Sequence, residues 1–300
     1  MNRSIKPWFD QENKQDYFCC MWNLTRECNS CCSGCPFHSN INNRLIDPEK
    51  TITFISNNFN FDTEYNQIIL FGGEPTLHKR FNYIITELSK LRFKNKIIFS
   101  NFSADIDIYN KCLFEYYTLI LTYHNNIFKN IEEFINKLIQ LNSSNFRIIL
   151  MRDDKIEYNY NKLIKHISKE QINIVSIHKE KNNLVDSKHL VQNSHNYINV
   201  DEFGRGKTWS DVIESNKNCF KGYNCAAGKL SFFIEENGDI FPCHGIAQDY
   251  YVKNKNSNYK LGNINDVYQD KLGFDNCTVC PQKACRFELF LTKELMSDKC

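Results

Sequence analysis

All but one of the fourteen cysteines in this 300-residue chain lie in two stretches, 19–35 and 219–300, with Cys112 alone between them. A fold for this sequence must gather those sulfurs around something or bury them. Disulfides are the first use to weigh. Disulfide frameworks belong mostly to short secreted domains, and the opening Met1-Asn2-Arg3-Ser4-Ile5-Lys6 lacks the apolar run of a signal peptide. No uninterrupted apolar stretch approaches the roughly 20 residues of a membrane span. A cytoplasmic location is therefore expected, where thiols stay reduced and clustered cysteines most often bind metal. Lys+Arg is 37 against 35 Asp+Glu, a net charge of +2. That balance gives no electrostatic case for a nucleic-acid or membrane-surface binder.

Between the cysteine stretches, short apolar runs alternate with amphipathic ones. Residues 17–24, 67–71, 96–101, 117–122, 146–151 and 172–177 read as strands, each too apolar throughout for a half-exposed sheet and suited to a covered parallel one. The clearest helical pattern spans 127–141, where Ile127, Ile131, Phe134, Ile135, Leu138 and Leu141 recur every three or four residues. Weaker patterns fill 79–91 and 159–168. Six β–α alternations predict an α/β fold with a barrel-like parallel sheet ringed by helices. They are too few for a full eight-fold barrel. From about residue 201 the texture changes. Residues 229–243 read as two strands around Asn237-Gly238, a strong hairpin signal whose two turn positions both call for positive φ. The expected division is 1–200 and 201–300, with the break between Val191 and Lys217.

The first cysteine stretch holds Cys28, Cys32 and Cys35 in a C-x3-C-x2-C spacing, just after the first strand. Three thiolates from one loop can each bind one iron of a [4Fe–4S] cube, leaving the fourth iron open. A closed zinc site would need a fourth ligand, which His38 could supply. After the second strand stands Phe71-Gly72-Gly73-Glu74-Pro75. A glycine pair allows close backbone approach, and Glu74 offers an anionic acceptor.

This pairing of motifs resembles the radical S-adenosylmethionine (radical SAM) superfamily, whose cluster loop follows the first strand of a partial (β/α)6 barrel. The resemblance implies that the open iron is chelated by the methionine moiety of S-adenosylmethionine. Gly72, Gly73, Glu74 and Pro75 would bind that cofactor, with Glu74 accepting from its ammonium group. Ser100 and Asn101 after the third strand, Thr122 after the fourth and Arg152 after the fifth fall where the family places further cofactor contacts. The residue before the third cysteine departs from the family's usual aromatic: it is Gly34, which puts the adenine-side contact in doubt.

The second stretch carries Cys219, Cys225, Cys243, Cys277, Cys280, Cys285 and Cys300. Its C-x5-C-x12-G-x4-C and C-x2-C-x4-C spacings resemble the SPASM and twitch extensions of radical SAM enzymes, which hold auxiliary [4Fe–4S] clusters. Leu289 stands where a full SPASM pattern has a cysteine. Seven cysteines favour two clusters, on Cys219, Cys225 and Cys243 and on Cys277, Cys280, Cys285 and Cys300; the alternative is one on Cys225, Cys243, Cys277 and Cys280. A zinc ribbon is the competing use of such spacings.

The resemblance implies reductive cleavage of S-adenosylmethionine to a 5′-deoxyadenosyl radical, with an external one-electron reductant of the flavodoxin or ferredoxin type. The radical would abstract hydrogen from a peptide or protein substrate, or alternatively from a small molecule such as an amino sugar. A leader-peptide-binding domain is not expected in the short segment before Cys28, which weakens the peptide reading. His244, following Cys243, stands where sulfatase-maturing members carry an acidic residue, and is a candidate base. Cys19 and Cys20 share the first strand, and alternation must turn one of them inward.

Overall fold

The computed structural model describes residues 17–30, 32, 45–63, 65–176, 224–225, 227–253, 259–272 and 278–279. The six apolar runs are six parallel strands: β1 (Tyr17–Asn23), β2 (Tyr65–Phe71), β3 (Asn95–Ser100), β4 (Thr118–Tyr123), β5 (Phe146–Arg152) and β6 (Ile172–Ser176). They lie side by side in sequence order. Each successive pair is bridged by a helix: α1 (Pro48–Asn58), α2 (Phe81–Ser89), α3 (Ile106–Phe114), α4 (Ile131–Leu138) and α5 (Ile156–Leu163). The expected break at 191–217 lies outside the described residues.

Local chemistry sets the helix ends. α4 is shorter than its apolar periodicity because the Asn130 side chain accepts from the Glu133 amide and starts the helix there. The amides of Ile127 and Phe128 bond instead to the His124 carbonyl, in a turn. α1 has too sparse an apolar pattern to be read from periodicity, with only Thr51, Phe54 and Ile55 buried beyond its first residue. It is started by Asp47, which accepts from the Glu49 amide, and by Pro48 at the first helical position.

Strand alternation divides the sheet into two faces. Phe18, Cys20, Trp22, Ile68, Leu70, Ile98, Leu119, Leu121, Ile148 and Leu150 pack against helix residues such as Phe54, Ile84, Leu88, Leu113, Phe134 and Leu163. On the opposite face Ile97, Phe99, Thr122, Ile149 and Met151 are half-buried, as the lining of an open barrel.

The chain after 224 forms β7 (Asn224–Cys225), β8 (Ser231–Ile234), β9 (Asp239–Phe241), α6 (His244–Lys253), β10 (Gly262–Asn263), α7 (Ile264–Val267) and β11 (Thr278–Val279). β8 pairs in parallel with the outer edge of β1, with Cys19 opposite Ser231 and Trp22 opposite Ile234. The sheet thus runs β10-β9-β8-β1-β2-β3-β4-β5-β6. Phe232 shares the barrel core, edge-on to Phe18 at 5.9 Å and to Phe54 at 5.6 Å. The Asn237-Gly238 hairpin forms with a different turn from the one expected. Gly238 takes positive φ (+86°) and Asn237 does not. The Gly238 amide bonds to the Glu235 carbonyl and the Glu235 amide to the Asp239 carbonyl, a three-residue loop ending in a glycine bulge. Among the described residues no helix is long and apolar enough to cross a membrane.

Candidate active site

The carboxyl ends of β1 and β2 run on, past their last strand residues, as a paired stretch of backbone. The Leu24 amide donates to the Phe71 carbonyl at 2.9 Å, Gly73 to Thr25 at 2.7 Å, and Glu74 to Glu27 at 2.8 Å. This is close packing without room for side chains. A Cβ on Gly72, whose φ is +149°, would collide with the Thr25 carbonyl oxygen and Asn23 Oδ1. One on Gly73 would collide with the carbonyl oxygens of Arg26 and Glu27. The glycine pair therefore serves a close approach within the chain. Its backbone abuts the base of the cysteine loop.

That loop presents two of its thiols to polar groups. The Ser30 amide donates to Cys28 Sγ at 3.4 Å, and Ser30 Oγ lies 3.0 Å from Cys32 Sγ. Ser30 is buried and also bonds to the Asn126 amide group beyond β4. His124 Nδ1 lies 3.3 Å from Cys32 Sγ, and burial lowers the histidine's pKa. From the end of β3, Asn101 Nδ2 donates to Asn29 Oδ1 at 2.8 Å. Soft sulfur ligands met by N–H and O–H donors suit an iron–sulfur cluster, because thiolates bound to iron are tuned by such bonds. Nearby Asn23 Oδ1, buried at the end of β1, is an acceptor with no partner among the described residues. The donor set fits the cofactor that the sequence resemblance implies.

Glu74 is wholly buried and joins β2 to β3. Its Oε1 accepts from Ser100 Oγ at 2.8 Å and from the amide and hydroxyl of Thr76, while Oε2 accepts from the Asn101 amide at 2.7 Å. Ser100 Oγ lies 2.9 Å from the Tyr109 hydroxyl. Burial raises the Glu74 pKa, against the lowering by these hydrogen bonds. Ser100 and Asn101 thus meet Glu74 directly. Phe102 follows in the left-handed region (φ +62°). It is held there by a buried aromatic group and by Lys137 Nζ, which donates to the Phe102 carbonyl at 2.9 Å.

Thr122 lies half-buried on the open face of β4. Arg152 ends β5 opposite Ser176; its side chain lies outside the described residues. His244 begins α6 and is buried, its ring 5.5 Å from that of Phe71 and 5.2 Å from that of Phe233. Cys243 before it is half-buried. Cys225 on β7 pairs with Thr278 on β11. Cys35, Cys219, Cys277, Cys280, Cys285 and Cys300 lie outside the described residues. Among the described residues no three His, Cys, Asp or Glu side chains gather as a metal site. Alternation turns Cys20 into the helix-covered core, leaving Cys19 on the other face beside Gln67.

Sequence reasoning missed Asn23, Arg26, Ser30, Asn126, Glu235 and Glu236. The only signal for the two glutamates was their place just before a hairpin turn, and nothing in the spacing linked them to Arg26.

No family model and no curated protein matches the sequence. Solved structures do. Streptococcus suis SuiB bound to S-adenosylmethionine matches with TM-score 0.53 at 14% identity, over 86% of this chain and 67% of that one. SuiB bound to its precursor peptide SuiA matches with TM-score 0.54 at 16% identity, over 79% of this chain and 61% of that one. anSMEcpe with bound AdoMet and Cp18Cys peptide gives TM-score 0.48 at 16% identity, over 84% and 79% of the two chains. These neighbours are radical SAM enzymes. With its six parallel strands, bridging helices and cysteine loop at the carboxyl end of β1, the chain has the partial-barrel fold of the radical SAM enzymes.

Proposed function

We propose that the chain is a radical SAM enzyme whose Cys28, Cys32 and Cys35 hold a [4Fe–4S] cluster beside S-adenosylmethionine. One observation carries the reading. The loop bearing Cys28 and Cys32 is bonded through Thr25 and Glu27 to Gly73 and Glu74, at the ends of adjacent parallel strands. When bound, cluster and cofactor would supply one-electron cleavage and a carbon-centred radical. The chain's own residues do the positioning. The Ser30 amide donates to Cys28 Sγ, its hydroxyl and His124 flank Cys32 Sγ, and Glu74 holds Ser100 and Asn101 at the neighbouring strand end. Thr122 and Arg152, at the exits of β4 and β5, complete the proposed cofactor side. An external one-electron reductant belongs to the same proposal, as does the organisation into 1–200 and 201–300.

The test is direct. Anaerobically reconstituted and reduced protein should convert S-adenosylmethionine into 5′-deoxyadenosine and methionine, and Cys28→Ala or Cys32→Ala should abolish it. A reconstituted protein that releases no deoxyadenosine ends the proposal.

For the substrate we favour a peptide, supported by the likeness to SuiB bound to SuiA. Peptides encoded beside the gene should accelerate deoxyadenosine release. Acceleration by an amino sugar instead would overturn this choice. For the second cysteine stretch, the β7–β11 pairing sets Cys225 opposite Thr278, which in sequence stands between Cys277 and Cys280. That register favours one auxiliary cluster on Cys225, Cys243, Cys277 and Cys280. Iron analysis separates the assignments: about eight irons per chain for one auxiliary cluster, about twelve for two. His244 has no part in the proposed chemistry, because its buried ring packs against both Phe71 and Phe233.

A further inference from the structure

The cysteine loop is held from a second side, by residues more than two hundred positions away. The Glu236 carboxylate accepts from the backbone amide of Arg26 at 2.5 Å. Its own backbone carbonyl accepts from the Ile46 amide at 2.8 Å. Both ends of the segment that carries Cys28, Cys32 and Cys35 therefore meet at one residue of the β8–β9 turn. Glu235 completes the contact, accepting from Asn23 Nδ2 at 2.6 Å and from Arg26 Nη2 at 3.0 Å. Gly238, in the same turn, packs on the Ile46 side chain.

The turn geometry makes this possible. A two-residue hairpin would leave Glu235 and Glu236 within the strands. The three-residue loop with Gly238 at positive φ places Glu236 at the turn, beside the exit of β1, because β8 is hydrogen-bonded to β1 in parallel. On its other side the loop base is pressed against Gly72 and Gly73, with no space to retreat. Thr25, Arg26 and Glu27 are thus clamped between backbone and carboxylates. Buried ionised groups are retained only where paired, and here Arg26 supplies the partner for both glutamates, with Glu236 Oε1 3.7 Å from Arg26 Nε.

We propose that Glu235 and Glu236 are positioning residues for the iron-binding loop, so that the hairpin after residue 230 sets how Cys28 and Cys32 are presented. The inference rests on the proposed radical SAM role of that loop. It assigns the carboxy-terminal segment a task at the first cysteine site, independent of any cluster of its own.

The test uses the full chain. In metal-free protein, hydrogen exchange of residues 24–30 is followed by mass spectrometry in wild type, Glu236→Gln and Glu236→Ala. Glutamine keeps an oxygen able to accept the Arg26 N–H, so exchange should stay near wild type. Alanine removes it, and exchange there should quicken about tenfold or more, as expected when a hydrogen bond to a charged group is lost. After reconstitution, S-adenosylmethionine should change the EPR spectrum of the reduced wild type and glutamine variant, and fail to do so in the alanine variant. Equal exchange in all three proteins, or a retained EPR response in Glu236→Ala, overturns the inference. A wild type that takes up no iron ends the radical SAM reading instead, while the exchange comparison still decides the anchor. Should Glu236→Ala fail to fold, Glu236→Met keeps the volume, removes the acceptor and is read in the same way.

Discussion

His124 Nδ1 lies 3.3 Å from Cys32 Sγ, although 92 residues separate the two in sequence. The contact joins the exit of β4 to the cysteine loop, and burial favours the neutral imidazole. A ring nitrogen bearing hydrogen can donate to a thiolate. Donors to cluster sulfurs raise reduction potential, because they stabilise the more negative reduced state. His124→Phe should lower the midpoint potential of the proposed first cluster by roughly 40 mV, the equivalent of a hydrogen bond worth about 1 kcal/mol. Potentiometric EPR titration reads it; an unchanged potential would mean that the histidine is only packing.

Gly73 has no room for a methyl group. Alanine there must displace the Arg26 and Glu27 carbonyls and break the bonds from Gly73 and Glu74 to the loop base. Gly73→Ala should cost about 2–4 kcal/mol of stability and reduce iron uptake at the first site. Urea denaturation and iron analysis check both.

Glu74, Glu235 and Glu236 are each held above the usual carboxylate range, with burial the largest cause. A carboxyl raised on folding favours the folded state fully below its unfolded pKa, and that contribution is lost as pH rises through the folded value. The window opens near 4.5, the ordinary value, and extends upward. Glu74→Gln cannot titrate. Between about pH 5 and pH 7, its stability should therefore fall less steeply, or rise more steeply, with pH than that of wild type. Urea midpoints measured across that range give the two slopes, and parallel slopes would refute the assignment.

Thiol reactivity should follow burial. Cys112 is pushed up to about 12 and Cys20 well above the usual thiol range, in both cases mainly by burial. Cys32 is half-exposed. In native metal-free protein, iodoacetamide at about pH 8 should label Cys32 and spare Cys20 and Cys112, since burial keeps those two thiols protonated and out of the reagent's reach. Peptide mapping after a timed pulse reads the difference, and unfolding in urea should erase it.

Much of the architecture is legible in the order of residues alone. The six strands fall within two residues of their predicted starts, because a short β-branched and apolar run between turns has few other uses in a chain of this size. Helix ends are less legible. α4 starts later than its periodicity, after Asn130, where a side-chain cap outweighs the apolar pattern. Asn237-Gly238 signals a hairpin, but not its three-residue turn, in which Glu236 joins the loop.

The amino-acid sequence by itself determined the parallel α/β layout, the C-x3-C-x2-C loop after β1 and the glycine pair after β2, since each is set by near neighbours along the chain. Tertiary structure alone decided that Gly72 and Gly73 abut the cysteine loop, that Cys20 faces the helices, and that Glu236 meets Arg26. Those outcomes follow from strand order. Once β8 adds to the edge of β1, residues 210 positions apart become hydrogen-bonded neighbours, a proximity that no local pattern of side chains encodes.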